Sequence, residues 1–446
     1  MRDRLPAVLV TLGAGIAYGV LTLRRYAQVE VTSWDLAIFE QALQGYSQLS
    51  APIVDVKGPG FHVLGDHFSP IYAVLAPIYR LVPGAQVLLL AQVVLVAASA
   101  YVVTALAIRH LGRWRGATLG ACYALSFGVQ SAIRVDFHEV AFAAPLLALA
   151  GAAWVERRPR AVVGWSLPLL LVKEDLGLTV AVIGALLWWT GERRRGPALV
   201  VAGVGGLLLT VLVVLPAFND GGAYAYTGTL GGDRGVVATA FTALDTKLWT
   251  VVLTVAITGF AAVFSPWALL ALPTLAWRFT GDVEHYWGTD WHYSLVLMPI
   301  VFCAAIDAIA HARPGHRLLR HLVPVVAGVT AVTLIGSPLA SLLGADLYRD
   351  TPRAAAVREA VDRLPDGASV ETDIALLSHV VTDHEAYWTG TIGGARPEYV
   401  LFDTGIGIGS PPHPESWAEG THGGDWRTVY EEAGIVLVTP VPGPKN

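Results

Sequence analysis

The chain is 446 residues long, 54% hydrophobic and only 15% charged, with a formal net charge of −5. Soluble globular proteins carry about 25% charged residues, so this composition excludes an ordinary soluble domain and implies an α-helical polytopic membrane protein. No basic stripe interleaved with aromatics is present, which argues against nucleic acid as a partner. The two cysteines, Cys122 and Cys303, lie in apolar runs and form neither a disulfide framework nor a metal knuckle.

The first predicted element is an apolar span within MRDRLPAVLVTLGAGIAYGVLTLRRY. Its basic start resembles a signal peptide, but no small-x-small cleavage site follows, so it is read as an uncleaved span. Arg2 and Arg4 place its beginning inside under the positive-inside rule. The clusters RHLGRWR (109–115), ERRPR (156–160), ERRR (192–195) and HARPGHRLLR (311–320) each fall where an inward-running span ends. Segments 24–83, 129–138, 217–245 and 280–291 carry Asp, His, Trp and Tyr instead and are assigned to the outside. Arg24 and Arg25 run against this trend. The alternation predicts about eleven membrane segments within residues 1–343, entering from an inside N-terminus.

The first outer loop, 24–83, contains TSWDLAIFEQAL, with Asp35 and Glu40. Leu36, Phe39 and Leu43 recur at helical spacing, which predicts an amphipathic helix lying in the interface. Thr32 to Asp35 also match a capping box, in which Asp35 would do no more than close a helix start. Further along the loop, His62 precedes GDHFSP (65–70). Ser69-Pro70 is an ordinary helix start, yet it leaves Asp66 and His67 unexplained. RVDFHE (134–139) supplies Arg134, Asp136, His138 and Glu139 at the outer end of another span. Interfacial polarity is the plain account of that stretch.

Residues 161–190 form an apolar stretch of about 30 residues, too long for the roughly 20 that one span needs. Within it, LLLVKEDLGL carries Lys173, Glu174 and Asp175 in succession. A single helix would put ERRPR and ERRR on opposite sides, so the stretch reads as a hairpin of two short helices with the triplet at its outer apex. Charges at that depth cost several kcal/mol unless they pair or meet water, so the apex is expected to line a cavity open to the outside. A self-paired network that merely holds the hairpin together is the bland alternative. GDVEHYWGTDWHY (281–293) adds Glu284, His285, Asp290 and His292, among aromatics that a membrane-interface belt would supply anyway.

From residue 344 to 446 the pattern changes to a small α/β extracytoplasmic domain. AAAVREAVDRLPDGASVETD reads as a helix, a turn at Pro365-Asp366-Gly367 and a strand. PEYVLFD and GIVLVTP read as strands, with WRTVYEEA as a helix between them. GIGIGSPPHPE is a Gly/Pro-rich loop and lacks the strand-to-helix context of a dinucleotide fingerprint.

Taken together, the outer segments place carboxylates, imidazoles and a few cations around one cavity, which is the signature of a functional site. His and Asp sets suit a divalent metal ion, although no fixed ligand spacing such as HExxH is present. Two non-enzymatic readings compete: a transporter or flippase of a lipid-linked sugar, and a non-catalytic scaffold. A transporter built on repeats would show a second broken hairpin in a matching position, and none is found.

WDLAIFEQAL, GDHFSPIYAVLAPIY, DFHE and LLLVKEDLGL resemble a family of bacterial predicted membrane proteins grouped with the GT-C class of membrane glycosyltransferases. The resemblance covers most of the membrane part. It implies a GT-C-like fold in the bacterial plasma membrane, a sugar donor carried on polyprenyl phosphate and an extracytoplasmic acceptor. It further implies a catalytic carboxylate in the first outer loop, where Asp35 is the matching position. The tandem acidic pair of several GT-C families is absent, since Trp34 precedes Asp35 and Leu36 follows it. With a lipid phosphate as leaving group, cations must meet the growing charge. Lys173 is the first candidate and Arg134 the second. Asp35 would be the general base. Glu174, Asp175, Asp66, His67, His138 and Glu139 would orient Lys173 or contact donor and acceptor.

Overall fold

The computed structural model describes residues 4–30, 33–312 and 318–442. Arg2, Thr32 and the middle of HARPGHRLLR lie outside the described residues. Among those described, three helices are long and apolar enough to cross a membrane: Leu5–Ala27, Gln86–Leu111 and Arg195–Phe218. The pair Glu284–Ser294 and Leu297–Ala310, bent by 66°, makes a fourth if it is one broken span. Glu139–Val155, Pro159–Leu171, Leu176–Trp189 and Leu322–Leu334 are apolar but shorter. Length and composition therefore show a membrane protein of mostly helical build, without reaching the expected eleven segments.

The charged triplet sits where a hairpin apex was expected. Pro159–Leu171 rises to it, Lys173 to Asp175 form a turn, and Leu176–Trp189 descends. The descending arm packs closely on the helix Arg195–Leu209 because glycines meet there. A Cβ on Gly177 would lie 2.7 Å from the Gly203 carbonyl, and one on Gly184 would lie 2.5 Å from the Val200 nitrogen. Small residues let apolar helices approach to backbone contact, which holds this short arm without length of its own.

The helix Asp35–Ser47 departs from expectation. It does not lie in an interface with one wet face, since every residue from Leu36 to Leu43 is buried. Its apolar side joins the membrane core, and its polar side is covered by the C-terminal domain. Gln41 Nε2 donates to the Ala386 carbonyl at 3.0 Å, and Gln44 Nε2 to the Val381 carbonyl at 2.8 Å. Tyr79 and Thr382 hydroxyls both donate to Glu40 Oε1, at 3.0 and 2.8 Å. The capping reading also changes, because Trp34 precedes the helix without a side-chain cap and Asp35 occupies the first turn.

Beyond Gly344 the chain forms a five-stranded sheet in the order β2-β1-β3-β5-β4. The strands are β1 (Ser369–Thr372), β2 (Glu385–Trp388), β3 (Tyr399–Asp403), β4 (Trp426–Glu432) and β5 (Ile435–Pro440). β1 pairs in parallel with β2 and β3, while β5 runs antiparallel to β3 and β4. The preceding helix, expected from AAAVREAVDRL, spans Pro352–Asp362 and starts on a Thr351 cap with Pro352 in its first turn. WRTVYEEA is a correction: it is strand β4, not a helix. Ala433 and Gly434, at φ +48° and +83°, make a two-residue turn with both residues left-handed, the geometry that joins hairpin strands. A shift in register between Thr428 and Tyr430 bends β4 and obscures its alternation.

Candidate functional site

A cavity of about 650 Å³ opens where the turn at Lys173 to Asp175, the loop after the first helix and the segment 281–293 meet. Asp35, His67, His138, Glu139, Lys173, Glu174 and Asp175 all line it. Residues separated by more than a hundred positions thus share one wall, as the sequence reading required.

His138 is placed by Gln92, whose Oε1 accepts the His138 amide at 3.0 Å while its Nε2 donates to the Ala132 and Asp136 carbonyls. Gln92 thereby fixes a turn in which Asp136 takes φ +64°, a left-handed conformation uncommon outside glycine. The His138 ring is then held between neighbours. It stacks on His292 with centroids 3.6 Å apart and meets Phe39 edge-on. Its Nε2 lies 3.5 Å from Asp35 Oδ2. About a third of the Asp35 side chain (32%) stays open to the cavity. Burial pushes the Asp35 carboxyl up, but hydrogen bonds to His138 and Ser33 and the charges of His138 and Lys57 outweigh it. The pKa ends well below the usual carboxylate range.

Two residues of the triplet, Lys173 and Glu174, are paired, and Asp175 Oδ1 is buried with no hydrogen-bond partner among the described residues. Lys173 Nζ forms an ion pair with Glu139 Oε1 at 2.8 Å, with 13% and 2% of the side chains exposed. Glu174 Oε1 lies 2.8 Å from His67 Nδ1 and accepts from the Tyr224 hydroxyl at 3.0 Å, while Oε2 accepts the Phe68 amide at 3.1 Å. For His67, burial and the Lys173 charge lower the pKa, yet the carboxylates of Glu174 and Asp66 prevail and leave it raised. Asp66 does not line the cavity. It holds Lys57 at 2.5 Å and accepts from the Tyr226 hydroxyl at 2.9 Å. Burial raises its pKa, but His67 and Lys57 bring it below the ordinary value.

Arg134 is not brought to this cavity. Its Nη2 donates to the Asp290 carbonyl at 2.5 Å, and it lines a second cavity with Asp290. From the 281–293 segment, His285 and His292 face the main cavity and Glu284 does not. Sequence reasoning missed its aromatic wall: Trp34, Tyr224, Tyr226, Trp277, Tyr286 and Tyr293. Tyr224 and Tyr226 flank Ala225 in GGAYAYTGT, and alternate tyrosines in a glycine-rich outer loop were the available signal. Tyr226 stacks on His67 with centroids 4.5 Å apart. Arg278, fully buried in the helix Ala271–Thr280, holds the segment behind this wall by donating to the Tyr286 and Gly288 carbonyls.

Among the described residues, no group of three or more His, Cys, Asp or Glu side chains is placed to hold a metal ion. The chemistry at hand is that of an ionised carboxylate held by an imidazole, an ammonium held by a carboxylate, and an aromatic face opposite them. A carboxylate so placed can accept a proton, an ammonium can meet an anion, and aromatic faces can stack on sugar rings or prenyl chains.

Solved structures share this fold, among them two of one protein. ArnT from Cupriavidus metallidurans bound to undecaprenyl phosphate matches with a TM-score of 0.55 and 13% identity, over 98% of this chain and 99% of that one. The apo state of the same protein matches at 0.53 with the same identity and coverage. At this identity the likeness establishes the fold alone. No curated protein matches the sequence. The chain belongs to the predicted membrane protein family DUF2079, which it matches over residues 25–437.

Proposed function

We propose that the chain is a membrane glycosyltransferase of the GT-C type, moving a sugar from a polyprenyl-phosphate donor to an extracytoplasmic acceptor of the cell envelope. The observation that carries this reading is the single cavity holding Asp35 and Lys173 within an ArnT-like fold. ArnT is a GT-C glycosyltransferase and was solved with undecaprenyl phosphate bound. The reading places residues 1–343 in the bacterial plasma membrane as about eleven segments with the N-terminus inside, and residues 344–446 outside.

In this mechanism Asp35 takes the proton of an acceptor hydroxyl, and the freed oxygen attacks the anomeric carbon of the donor. The bond from that carbon to the phosphate oxygen breaks, and the electron pair leaves with the polyprenyl phosphate. Lys173 meets the added charge, so the leaving group needs no proton. Glu139 holds the ammonium until the donor phosphate takes over part of the contact. His138 keeps the Asp35 carboxylate aimed. The aromatic wall excludes water and stacks on the sugar.

Membranes carrying wild-type protein, Asp35→Asn and Lys173→Ala, supplied with a panel of labelled polyprenyl-phosphate sugars, test this. Wild-type protein transfers sugar, and each variant loses a factor of about 100 or more at equal protein level. Variants that transfer like wild type would remove both residues from the mechanism. A wild type that binds donor and never turns it over would move a lipid-sugar flippase ahead.

A further inference from the structure

The second cavity, about 480 Å³, lies at the outer end of the Leu5–Ala27 helix and shares a wall with the first. Arg134 lines one cavity and His138 the other; Thr289 and Asp290 line one, and Trp291 to Tyr293 the other. It contains Arg25, one of the two arginines that violate the charge pattern of the outer loops. Arg25 is engaged, with its Nε 3.2 Å from Glu30 and its Nη1 donating to the Arg134 carbonyl at 2.8 Å. Arg134 is engaged less fully. Its partner is the Asp290 carbonyl, and among the described residues no carboxylate pairs with it.

Among the described residues, two polar atoms in the same wall have no partner. Gln130 is 2% exposed, and its Nε2 donates to the Leu125 carbonyl at 2.7 Å, which orients Oε1 as a buried acceptor with nothing donating to it. Ser337 Oγ is likewise buried and unpartnered. Buried polar groups are almost always satisfied, so two orphans in one cavity wall are positions open to a partner from the cavity, ligand or water. At the cavity's edge Ile335 is 82% exposed, and the nearby Val332 and Leu343 are 67% and 93% exposed. Large apolar side chains bare of protein at the end of an apolar helix lie where acyl chains lie.

We propose that this cavity binds a phosphate ester carrying a neighbouring hydroxyl, the chemistry of a glycerophospholipid headgroup. The guanidinium of Arg134 takes the phosphate, as arginine does with two parallel N–H groups. The hydroxyl donates to Gln130 Oε1 and Ser337 Oγ takes a second oxygen. The apolar rim receives the chains. This site accounts for an outer-side arginine without placing it in the transfer chemistry, and it stands whether or not the chain transfers sugar.

Purified full-length protein in detergent, titrated by native mass spectrometry with phosphatidylglycerol, glycerol 1-phosphate and diacylglycerol, tests the proposal. Phosphatidylglycerol binds wild type and Lys173→Ala alike, which separates this site from the main cavity. Arg134→Gln and Gln130→Met each weaken that binding by about tenfold or more. Unfolding midpoints measured without lipid show that Lys173→Ala, Arg134→Gln and Gln130→Met are folded; Gln130→Met, an uncharged swap of similar volume, carries the test if Arg134→Gln is not. Equal binding by wild type and the folded variants overturns the site. Equal binding of diacylglycerol overturns the phosphate contact, and equal binding of glycerol 1-phosphate overturns the lipid as its source while keeping the phosphate-ester site.

Discussion

At one end of the apolar segment Glu139–Val155, Glu139 pairs with Lys173 and both side chains are largely buried. At the other end, about 25 Å away at 1.5 Å per residue, Glu156 is bracketed by Arg109 at 2.6 Å and Arg158 at 2.5 Å. There the arginines are 50% and 59% exposed and the carboxylate 24%. The chemistry of the pairs is the same and their settings differ. Exposed pairs settle for little, because water serves each partner nearly as well. The buried pair has no such fallback, so each partner is costly without the other. A chain gains little stability from burying a lysine and a glutamate that leucines could replace, which is why the buried end reads as a site and the exposed end as a boundary.

The sharpest way to break the comparison is to remove one partner at the buried end. Lys173→Met or Glu139→Gln alone should cost about 3–5 kcal/mol in unfolding free energy. The double variant should cost less than the sum of the singles, because no lone charge is left. Additive losses would show that the two groups find other partners and that the cavity is wetter than its burial implies.

Glu40 tests the same principle in a carboxyl that, among the described residues, pairs with no cation. Burial raises its pKa to about 7, although hydrogen bonds from Thr382 and Tyr79 pull the other way and the charge of Asp383 adds to the rise. The folded value lies above the ordinary 4.5. Stability from the protonated form is therefore full below pH 4.5 and lost as pH rises through about 7. Glu40→Gln keeps the acceptor oxygen and cannot ionise. It should be near neutral at pH 5 and stabilising at pH 8, by up to about 3 kcal/mol. Equal effects at both pH values would mean that Glu40 does not titrate across this range.

How much of this was legible in the sequence depends on what each pattern could report. The hairpin was legible because two basic clusters had to share a side, and its charged apex then pointed to the cavity. Asp35, His67, His138 and Lys173 do meet there. The setting of Asp35–Ser47 was not legible. Gln41 and Gln44 look like residues facing water, and a sequence cannot distinguish water from the Ala386 and Val381 carbonyls that take their amides. Arg134 was misplaced for a similar reason. It is four residues from His138, and only the left-handed turn at Asp136 sends the two to different cavities. In the tail, β1, β3 and β5 announced themselves by short runs of β-branched, aromatic and other apolar residues. β4 was hidden by its bulge and by Glu431 and Glu432, which suit a helix as well as a solvated strand edge.

The smallest expected effect lies at the exposed end. Arg109→Ala and Arg158→Ala each remove one of two cations that share Glu156, so the other remains to serve it. Each should change stability by about 0.5 kcal/mol or less, and the change should shrink further as salt is raised from 0.05 to about 0.5 M. Turnover should stay at the wild-type level, since neither residue touches the cavity. A loss on the scale expected for Lys173→Met would mean that the two ends do not differ as their exposure says, and that Glu156 too is part of a buried, coupled network.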